Sequence, residues 1–149
     1  MIGLLQRVTD ASVTVAGETV SRIGRGLLVL VAVRRGDTQR DAERLAERIL
    51  GYRVFPDERG RMNLSLLDIG GELLLVPQFT LAADTKKGTR ASFTRAAPPD
   101  TGEACFEALV AACRSHLGTV GTGRFGADMQ VRLTNDGPVT FWLETGARV

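Results

Sequence analysis

The first third of the chain alternates between hydrophobic and polar positions with the period of two that is typical of β-strands. Val13 and Val15, for example, are separated by polar Thr14. The alternation stops at Ala16-Gly17-Glu18 and resumes from Thr19 to Ile23. A short run of turn-forming residues between two alternating stretches predicts a β-hairpin.

Two continuous apolar runs predict strands that are buried on both faces. The first extends from Leu27 to Val33, and the second from Leu73 to Val76, after Gly70-Gly71. We further expect two short strands at Tyr52–Phe55 and Met129–Leu133, and a last strand at Pro138–Glu144 after a turn at Asn135-Asp136-Gly137. The remaining segments are predicted to lack regular structure: Leu64–Leu67, a loop from Thr85 to Ala97 and a frayed tail from Gly146.

Two segments have the hydrophobic spacing of amphipathic helices. The first begins with Thr38 as N-cap and ends at Gly51, and its apolar positions are Ala42, Leu45, Ala46 and Ile49. The second follows Pro98-Pro99, where Asp100 and Glu103 resemble a capping box. Its apolar stripe consists of Phe106, Leu109, Val110, Cys113 and Leu117.

Many strands with only two helices predict an α/β protein in which mixed β-sheets carry both helices on one side. The chain has 149 residues and no internal repeat or linker, so we expect a single domain spanning residues 1–149.

The composition excludes several classes of protein. Hydrophobic residues make up 44% and charged residues 24%, which argues against disorder. The longest apolar run has seven residues, so we expect no membrane span, no membrane partner and a cytoplasmic location. Cys105 and Cys113 lie eight residues apart in one predicted helix, about 12 Å, which is too far for a disulfide. With one histidine, His116, we expect no metal site, no cofactor and no histidine-dependent triad.

The charge distribution leaves two interpretations open. The net charge is +2, but residues 85–99 contain Lys86, Lys87, Arg90 and Arg95 without any acidic residue. Such a stretch is either a solvated loop or a surface for nucleic-acid phosphates.

The segment Pro77-Gln78-Phe79-Thr80-Leu81 is a candidate for chemistry because proline ends the strand ladder there. Period-two geometry puts Gln78 and Thr80 on one face. An amide beside a hydroxyl can hold an ester or a ribose, but the segment is equally an edge strand with two solvated residues.

The second candidate is Asn135-Asp136-Gly137-Pro138-Val139-Thr140. It has the composition of an ordinary turn. A glycine before proline can instead present its backbone carbonyl on a rigid frame, although only about 5–6% of X-Pro bonds are cis in folded proteins.

These two segments resemble the two signatures of the D-aminoacyl-tRNA deacylase family, S-Q-F-T-L and N-x-G-P-V-T. The chain has Gln78-Phe79-Thr80-Leu81 of the first and all of the second. The resemblance covers nearly the whole chain and extends to Leu5-Gln6-Arg7-Val8, Ala11-Ser12-Val13, Gly26-Leu27-Leu28-Val29-Leu30, Met62-Asn63-Leu64-Ser65-Leu66 and Gly123-Arg124-Phe125-Gly126-Ala127-Asp128-Met129.

The resemblance implies a barrel-like core and a homodimer. It implies that the enzyme hydrolyses the ester of D-aminoacyl-tRNA, and of glycyl-tRNA on the wrong tRNA, for chiral proofreading in translation. It further implies that Gly137–Pro138 is cis, reaches into the partner's pocket and rejects L-aminoacyl substrates by a clash with rigid backbone.

The resemblance also implies roles for single residues. Gln78, Phe79 and Thr80 form the catalytic segment, where backbone N–H groups near Phe79 and Thr80 stabilise the oxyanion while the ribose 2′-hydroxyl assists. Thr80 is a polar positioner, since no adjacent base can activate it as a nucleophile. Gly137, Pro138 and Pro77 are expected to contact the substrate, and Arg7 is expected to brace the loop. Phe125 and Met129 either line the adenine pocket or belong to the core. Contacts with tRNA phosphates are expected from Lys86, Lys87 and Arg90.

One residue departs from the family pattern, because Pro77 stands where the family usually has serine. The change removes a hydroxyl and a backbone N–H close to the reacting ester. Two alternatives therefore stay open: a tRNA-binding module with weak or no activity, and a small oligomeric domain that acts on an unrelated metabolite.

Overall fold

The computed structural model describes residues 1–146, so the expected frayed tail lies mostly outside the described residues. We number eight strands and three α-helices in chain order. They are β1 (Ile2–Val15), β2 (Glu18–Ile23), β3 (Gly26–Ala32), α1 (Gln39–Gly51), β4 (Phe55–Pro56), β5 (Met62–Leu64), α2 (Leu66–Ile69), β6 (Glu72–Pro77), α3 (Pro99–Arg114), β7 (Val120–Thr122) and β8 (Gln130–Glu144). A short 3-10 helix, Phe79–Ala82, follows β6.

The main sheet is mixed, as the sequence predicted. Its order is β2-β1-β3-β6-β7, and β8 pairs with the other edge of β1. The β3–β6 and β6–β7 pairs are parallel, whereas β1 is antiparallel to β2, β3 and β8. The two ends of this order approach each other, because a Cβ on Gly121 of β7 would overlap the Ser21 hydroxyl of β2. The sheet is therefore nearly closed into a barrel-like core.

The helices cover one face of this sheet and the barrel interior forms the other, which confirms the predicted arrangement. Leu27, Val29 and Leu73 belong to the core that packs under α1 and α3. The neighbouring Leu28 and Leu74 belong to the interior core. The period of two in β3 and β6 thus divides each apolar run between two cores, which is why both strands are apolar throughout.

Local expectations for the helices are partly corrected. Helix α1 begins after the N-cap Thr38 and ends at Gly51, as predicted. The Asp41 carboxylate accepts from the Thr38 backbone N–H at 2.8 Å. The start of α3 differs: Pro98 is the N-cap without a side-chain bond, and the expected Asp100–Glu103 box is absent among the described bonds. The segment expected to be irregular, Leu64–Leu67, includes the start of α2, whose N-cap Ser65 accepts from the Asp68 N–H at 3.1 Å.

Three predicted strands also differ from the structure. The strand expected at Tyr52–Phe55 is reduced to Phe55–Pro56. The two strands expected around Asn135-Asp136-Gly137 are one strand, β8, because both flanks pair with β1 in the same direction.

Both cysteines are buried free thiols, and burial raises the pKa of Cys113 to about 12. Within residues 1–146, no helix has the length and apolar character needed to cross a bilayer.

Candidate active site

A cleft of about 500 Å³ opens where β6 ends. Its walls come from three segments of the chain: the end of β6 with the 3-10 helix, the start of α3, and the stretch that leads into β8. The lining residues are Val76, Pro77, Gln78, Phe79, Ala96, Ala97, Pro99, Phe125, Gly126, Ala127, Asp128, Met129 and Val131.

Pro77 ends the strand and changes the backbone direction at the cleft. Gln78 makes the last ladder bond, from its N–H to the Val31 carbonyl at 2.7 Å, and the chain then turns into the 3-10 helix. The period-two arrangement expected for Gln78 and Thr80 is therefore wrong. The two side chains still meet, since the Gln78 amide Nε2 donates to the Thr80 hydroxyl.

The 3-10 helix begins with two backbone donors that have no acceptor in the described part of the chain. Its first bonds run from Leu81 N–H to the Gln78 carbonyl at 3.2 Å and from Ala83 N–H to the Thr80 carbonyl at 3.1 Å. Helix geometry leaves the first N–H groups, those of Phe79 and Thr80, without intrahelical partners. Donors of this kind are available to an oxygen of a bound molecule.

Aromatic and sulfur-containing side chains form the apolar wall of the cleft. Phe79 is 59% exposed, and its ring centroid lies 5.3 Å from that of Phe93. Phe125 packs on the helix-side core, 6.5 Å from Phe106, and Met129 packs on the interior core. The two alternatives for Phe125 and Met129 are thus not exclusive, because both contact a core and line the cleft.

The second predicted segment, Asn135–Thr140, forms a loop that projects from β8. Gln6 of β1 pairs with Thr140, and Val8 pairs with Asn135, so residues 136–139 have no partner on β1. Within this loop the Gly137–Pro138 peptide bond is cis. An ideal Cβ on Gly137 would lie 2.5 Å from Val139 Cγ2 and 2.6 Å from the Val139 nitrogen, so the position has no room for a side chain.

Arg7 lies opposite the loop and holds it. Its Nε donates to the Asp136 carbonyl at 2.8 Å, and its Nη1 donates to the Val54 carbonyl at 2.7 Å. The Asp136 carboxylate lies 3.7 Å from the same Nε. One guanidinium therefore ties the loop to the segment that precedes β4.

The structure does not bring all predicted residues to one place. Pro77, Gln78, Phe79, Phe125 and Met129 share the cleft. Its lining within residues 1–146 includes neither Arg7, Gly137 nor Pro138, and Thr80 contacts the lining residue Gln78 without lining the cleft itself. Lys86, Lys87 and Arg90 are exposed on the loop between the 3-10 helix and α3. Bridges between Asp84 and Ser92 and between Arg34 and Ala96 anchor that loop.

Sequence reasoning missed two residues at these sites. Phe93 lies within the basic stretch, where a single aromatic residue gives no period to detect. Asn135 belongs to the predicted turn and to the second signature but has no role of its own in the sequence analysis, although its side chain bonds to Val139 and Thr140. An asparagine that bonds to nearby backbone is a known local motif and could have been anticipated.

The fold is shared with solved structures. The structure superposes on the c-Myc DNA Unwinding Element Binding Protein with a TM-score of 0.93 and 42% identity, covering 99% of this chain and 100% of that one. It also superposes on a probable eukaryotic D-amino acid tRNA deacylase with a TM-score of 0.85, covering 96% and 98% of the two chains. At 19% identity, the second likeness concerns the fold alone.

Sequence relatives define the class more closely. A D-aminoacyl-tRNA deacylase of Thioalkalivibrio sulfidiphilus is 67% identical over 145 residues, which cover 97% of each chain. A D-aminoacyl-tRNA deacylase of Escherichia coli is 56% identical over 144 residues, covering 97% of this chain and 99% of the relative. The class is that of hydrolases acting on aminoacyl-tRNA.

The family follows from the model match. Residues 4–144 match the family model described as D-Tyr-tRNA(Tyr) deacylase. The chain belongs to this family, which confirms the resemblance found in the sequence.

Proposed function

We propose that this protein hydrolyses the ester between a D-amino acid and the terminal adenosine of tRNA, and that it also acts on glycyl esters carried by the wrong tRNA. The supporting observation is the cleft lined by Gln78 and Phe79, next to Thr80 in the sequence, in a chain of the deacylase family. Water adds to the ester carbonyl, the bond to the ribose oxygen breaks, and that oxygen takes up a proton. The products are free tRNA and the amino acid.

The protein's contribution to this reaction is positioning and charge stabilisation. The N–H groups of Phe79 and Thr80 would donate to the oxyanion that develops on the carbonyl oxygen. The Thr80 hydroxyl accepts from the Gln78 amide, which cannot take up a proton, so Thr80 orients and does not attack. The ribose 2′-hydroxyl of the substrate would assist the attacking water.

Chirality would be selected by the main chain at Gly137 and Pro138. An L side chain would meet these backbone atoms, whereas a D side chain would point away from them. Rejection by a clash needs a wall that does not yield. Arg7 supports such a wall through its bonds to the Asp136 and Val54 carbonyls.

We further propose that the protein is a cytoplasmic homodimer in which this loop enters the partner's cleft. The separation supports this arrangement, since the described lining of the cleft includes neither Gly137 nor Pro138. Pro77, at the end of β6, occupies the wall where the family usually has serine.

The direct test compares D-tyrosyl-tRNA with L-tyrosyl-tRNA at equal concentration. We expect the D ester to be hydrolysed at a rate at least 100-fold higher than the L ester, since a clash of several kcal/mol corresponds to roughly this ratio or more. Equal hydrolysis of both would contradict chiral selection. Binding of tRNA without hydrolysis of either would contradict the proposed activity.

The oxyanion donors are tested with a matched pair of variants. Phe79→Pro removes the ring and the N–H at a first-turn helix position that tolerates proline, whereas Phe79→Ala removes the ring alone. Loss of one such donor costs roughly 10²–10³ in kcat. We expect Phe79→Pro to lower kcat by about this factor relative to Phe79→Ala. Similar kcat values for the two would contradict the role of this N–H.

Mixed dimers test whether the loop acts on the partner. Chains with Phe79→Pro keep the loop, and chains with Gly137→Ala keep the cleft. If the loop acts across the interface, mixing the two inactive chains restores about half of the activity per mixed dimer. No recovery, with mixed dimers verified by mass spectrometry, would place the loop and the cleft of one chain together.

The basic loop would contact tRNA phosphates. Replacing Lys86, Lys87 and Arg90 by alanine should reduce the slope of log K against log salt by about 2 to 3, at roughly 0.7–0.9 per phosphate contact. Replacing exposed Arg40 on α1 serves as the control and should leave the slope unchanged. An unchanged slope in the triple variant would remove the loop from the tRNA interface.

A further inference from the structure

The neck of the 136–139 loop is closed by one side chain. Asn135 and Thr140 are the last residues paired with β1 on either side of the loop. The Asn135 Oδ1 accepts from the Val139 N–H at 2.7 Å. The Asn135 Nδ2 donates to the Thr140 hydroxyl at 3.0 Å and to the Val139 carbonyl at 3.4 Å. The amide orientation is fixed chemically, because a backbone N–H can only face the oxygen.

These bonds replace ladder bonds that the loop has lost. Val139 is only 8% exposed, and an unpaired buried N–H is costly, so its bond to Asn135 has structural weight. The two residues that flank Gly137–Pro138 are thus each held by a side chain. Arg7 holds the carbonyl of Asp136, and Asn135 holds the N–H of Val139.

We propose that Asn135 is a positioning residue that sets the discrimination between D and L esters, acting through the loop and touching no substrate itself. The inference rests on the proposed function of that loop. Without the neck bonds, Gly137 and Pro138 can move aside, and a wall that moves admits the L side chain. The oxyanion donors at Phe79 and Thr80 lie on another element, so hydrolysis of the D ester is affected less.

The test measures kcat and KM for D- and L-tyrosyl-tRNA in matched variants. Asn135→Leu keeps the approximate volume and removes all the neck bonds, and Thr140→Val removes only the bond from Nδ2 to the Thr140 hydroxyl. We expect Asn135→Leu to lower the D-to-L ratio of kcat/KM roughly tenfold or more, mainly through faster L hydrolysis, since more than one bond of ordinary strength is lost. Thr140→Val should move the ratio in the same direction by a smaller factor.

Asn135→Asp is the conservative rescue. One carboxylate oxygen can accept from the Val139 N–H and the other from the Thr140 hydroxyl, so this variant should recover most of the ratio. Asn63→Ala, which removes an exposed asparagine amide on β5, is the control and should leave the ratio unchanged.

The outcomes separate this inference from the proposed function. If the unmodified protein does not prefer the D ester, the proposed function itself fails. If it does, and Asn135→Leu keeps the same ratio or loses D and L hydrolysis equally, the role of Asn135 is overturned. Should Asn135→Leu not fold, judged by circular dichroism, Thr140→Val decides: an unchanged ratio overturns the inference, and a lowered ratio supports it.

Discussion

Gly137 occupies a position where the backbone allows no Cβ. The nearest obstacles are atoms of Val139 at 2.5 and 2.6 Å, one of them a main-chain nitrogen that cannot rotate away. A side chain at residue 137 must therefore displace the loop itself. The loop also carries the proposed basis for chiral selection, so this single position links local geometry to substrate choice.

The variant Gly137→Ala should lower kcat/KM for D-tyrosyl-tRNA by roughly 100-fold, since displacements of about 1 Å have costs of this order. Steady-state hydrolysis of the D ester measures it. Gly51→Ala, at the end of α1 with nothing within 4 Å of the added Cβ, is the control. Wild-type turnover by Gly137→Ala would mean that the loop is not part of the working site.

For single residues, the sequence indicated which positions are of interest but not which hydrogen bonds they make in the structure. The motifs singled out Gln78, Phe79 and Thr80 by their residue types, and the first two line the cleft. The resemblance implied backbone donors near Phe79 and Thr80, but the residue pattern alone did not predict the 3-10 helix after Pro77 that leaves these N–H groups free. The pairing of Arg7 with the Val54 carbonyl joins residues 47 positions apart and leaves no sequence pattern.

Among the secondary-structure elements, those buried on both faces were the easiest to predict. Strands β3 and β6 lie between two cores, so their continuous apolar runs are unambiguous. Strand β8 was predicted as two strands because proline and glycine usually end a strand. In the structure β1 pairs on both sides of residues 136–139, and this tertiary pairing outweighs the local turn signal.

Helix α3 should depend strongly on its buried stripe. Leu109 is fully buried in the helix-side core, so Leu109→Ala should lower the free energy of unfolding by about 2–5 kcal/mol. Urea denaturation monitored by circular dichroism measures the change. Leu67→Ala on α2, where the side chain is 44% exposed, should cost much less. Equal losses would mean that α3 does not anchor this core.

In the whole molecule, a buried charged cluster joins the start of the chain to the end of β8. The Met1 ammonium is fully buried and lies 2.9 Å from the Asp37 carboxylate. Asp37 also accepts from the Arg34 backbone N–H at 2.6 Å, and Thr145 bonds back to the Met1 carbonyl at 2.8 Å. Burial lowers the pKa of the Met1 amine from 8.0, although Asp37 opposes this shift.

Removing the counter-ion should destabilise the fold. We expect Asp37→Asn to lower the free energy of unfolding by about 3–5 kcal/mol near pH 6, because the buried Met1 amine must then either keep its charge without a partner or give up its proton. The unfolded chain then binds more protons than the folded one, so stability rises with pH and levels off above about pH 8. The loss should therefore be smaller at pH 9, as urea titrations at the two pH values would measure. Glu47→Gln, in an exposed pair with Arg44, is the control and should change little.

We propose that the chain forms the single domain expected from its length. Strands β3 and β6 contribute side chains to both cores, so neither core can lose its order alone. Near-UV and far-UV circular dichroism should give one shared unfolding midpoint. Two separate midpoints would indicate independently folding parts.

The 136–139 loop of β8 can vary in length independently of the sheet. Pairing between β1 and β8 continues on both sides of residues 136–139, with register shifts next to the loop, so the sheet itself does not fix how many residues the loop contains. Insertions or deletions in the loop can change its length while β1 and β8 still pair as before. How far the loop projects can therefore vary without a change in the sheet, and under the proposed function its length would also set which stereoisomers are admitted.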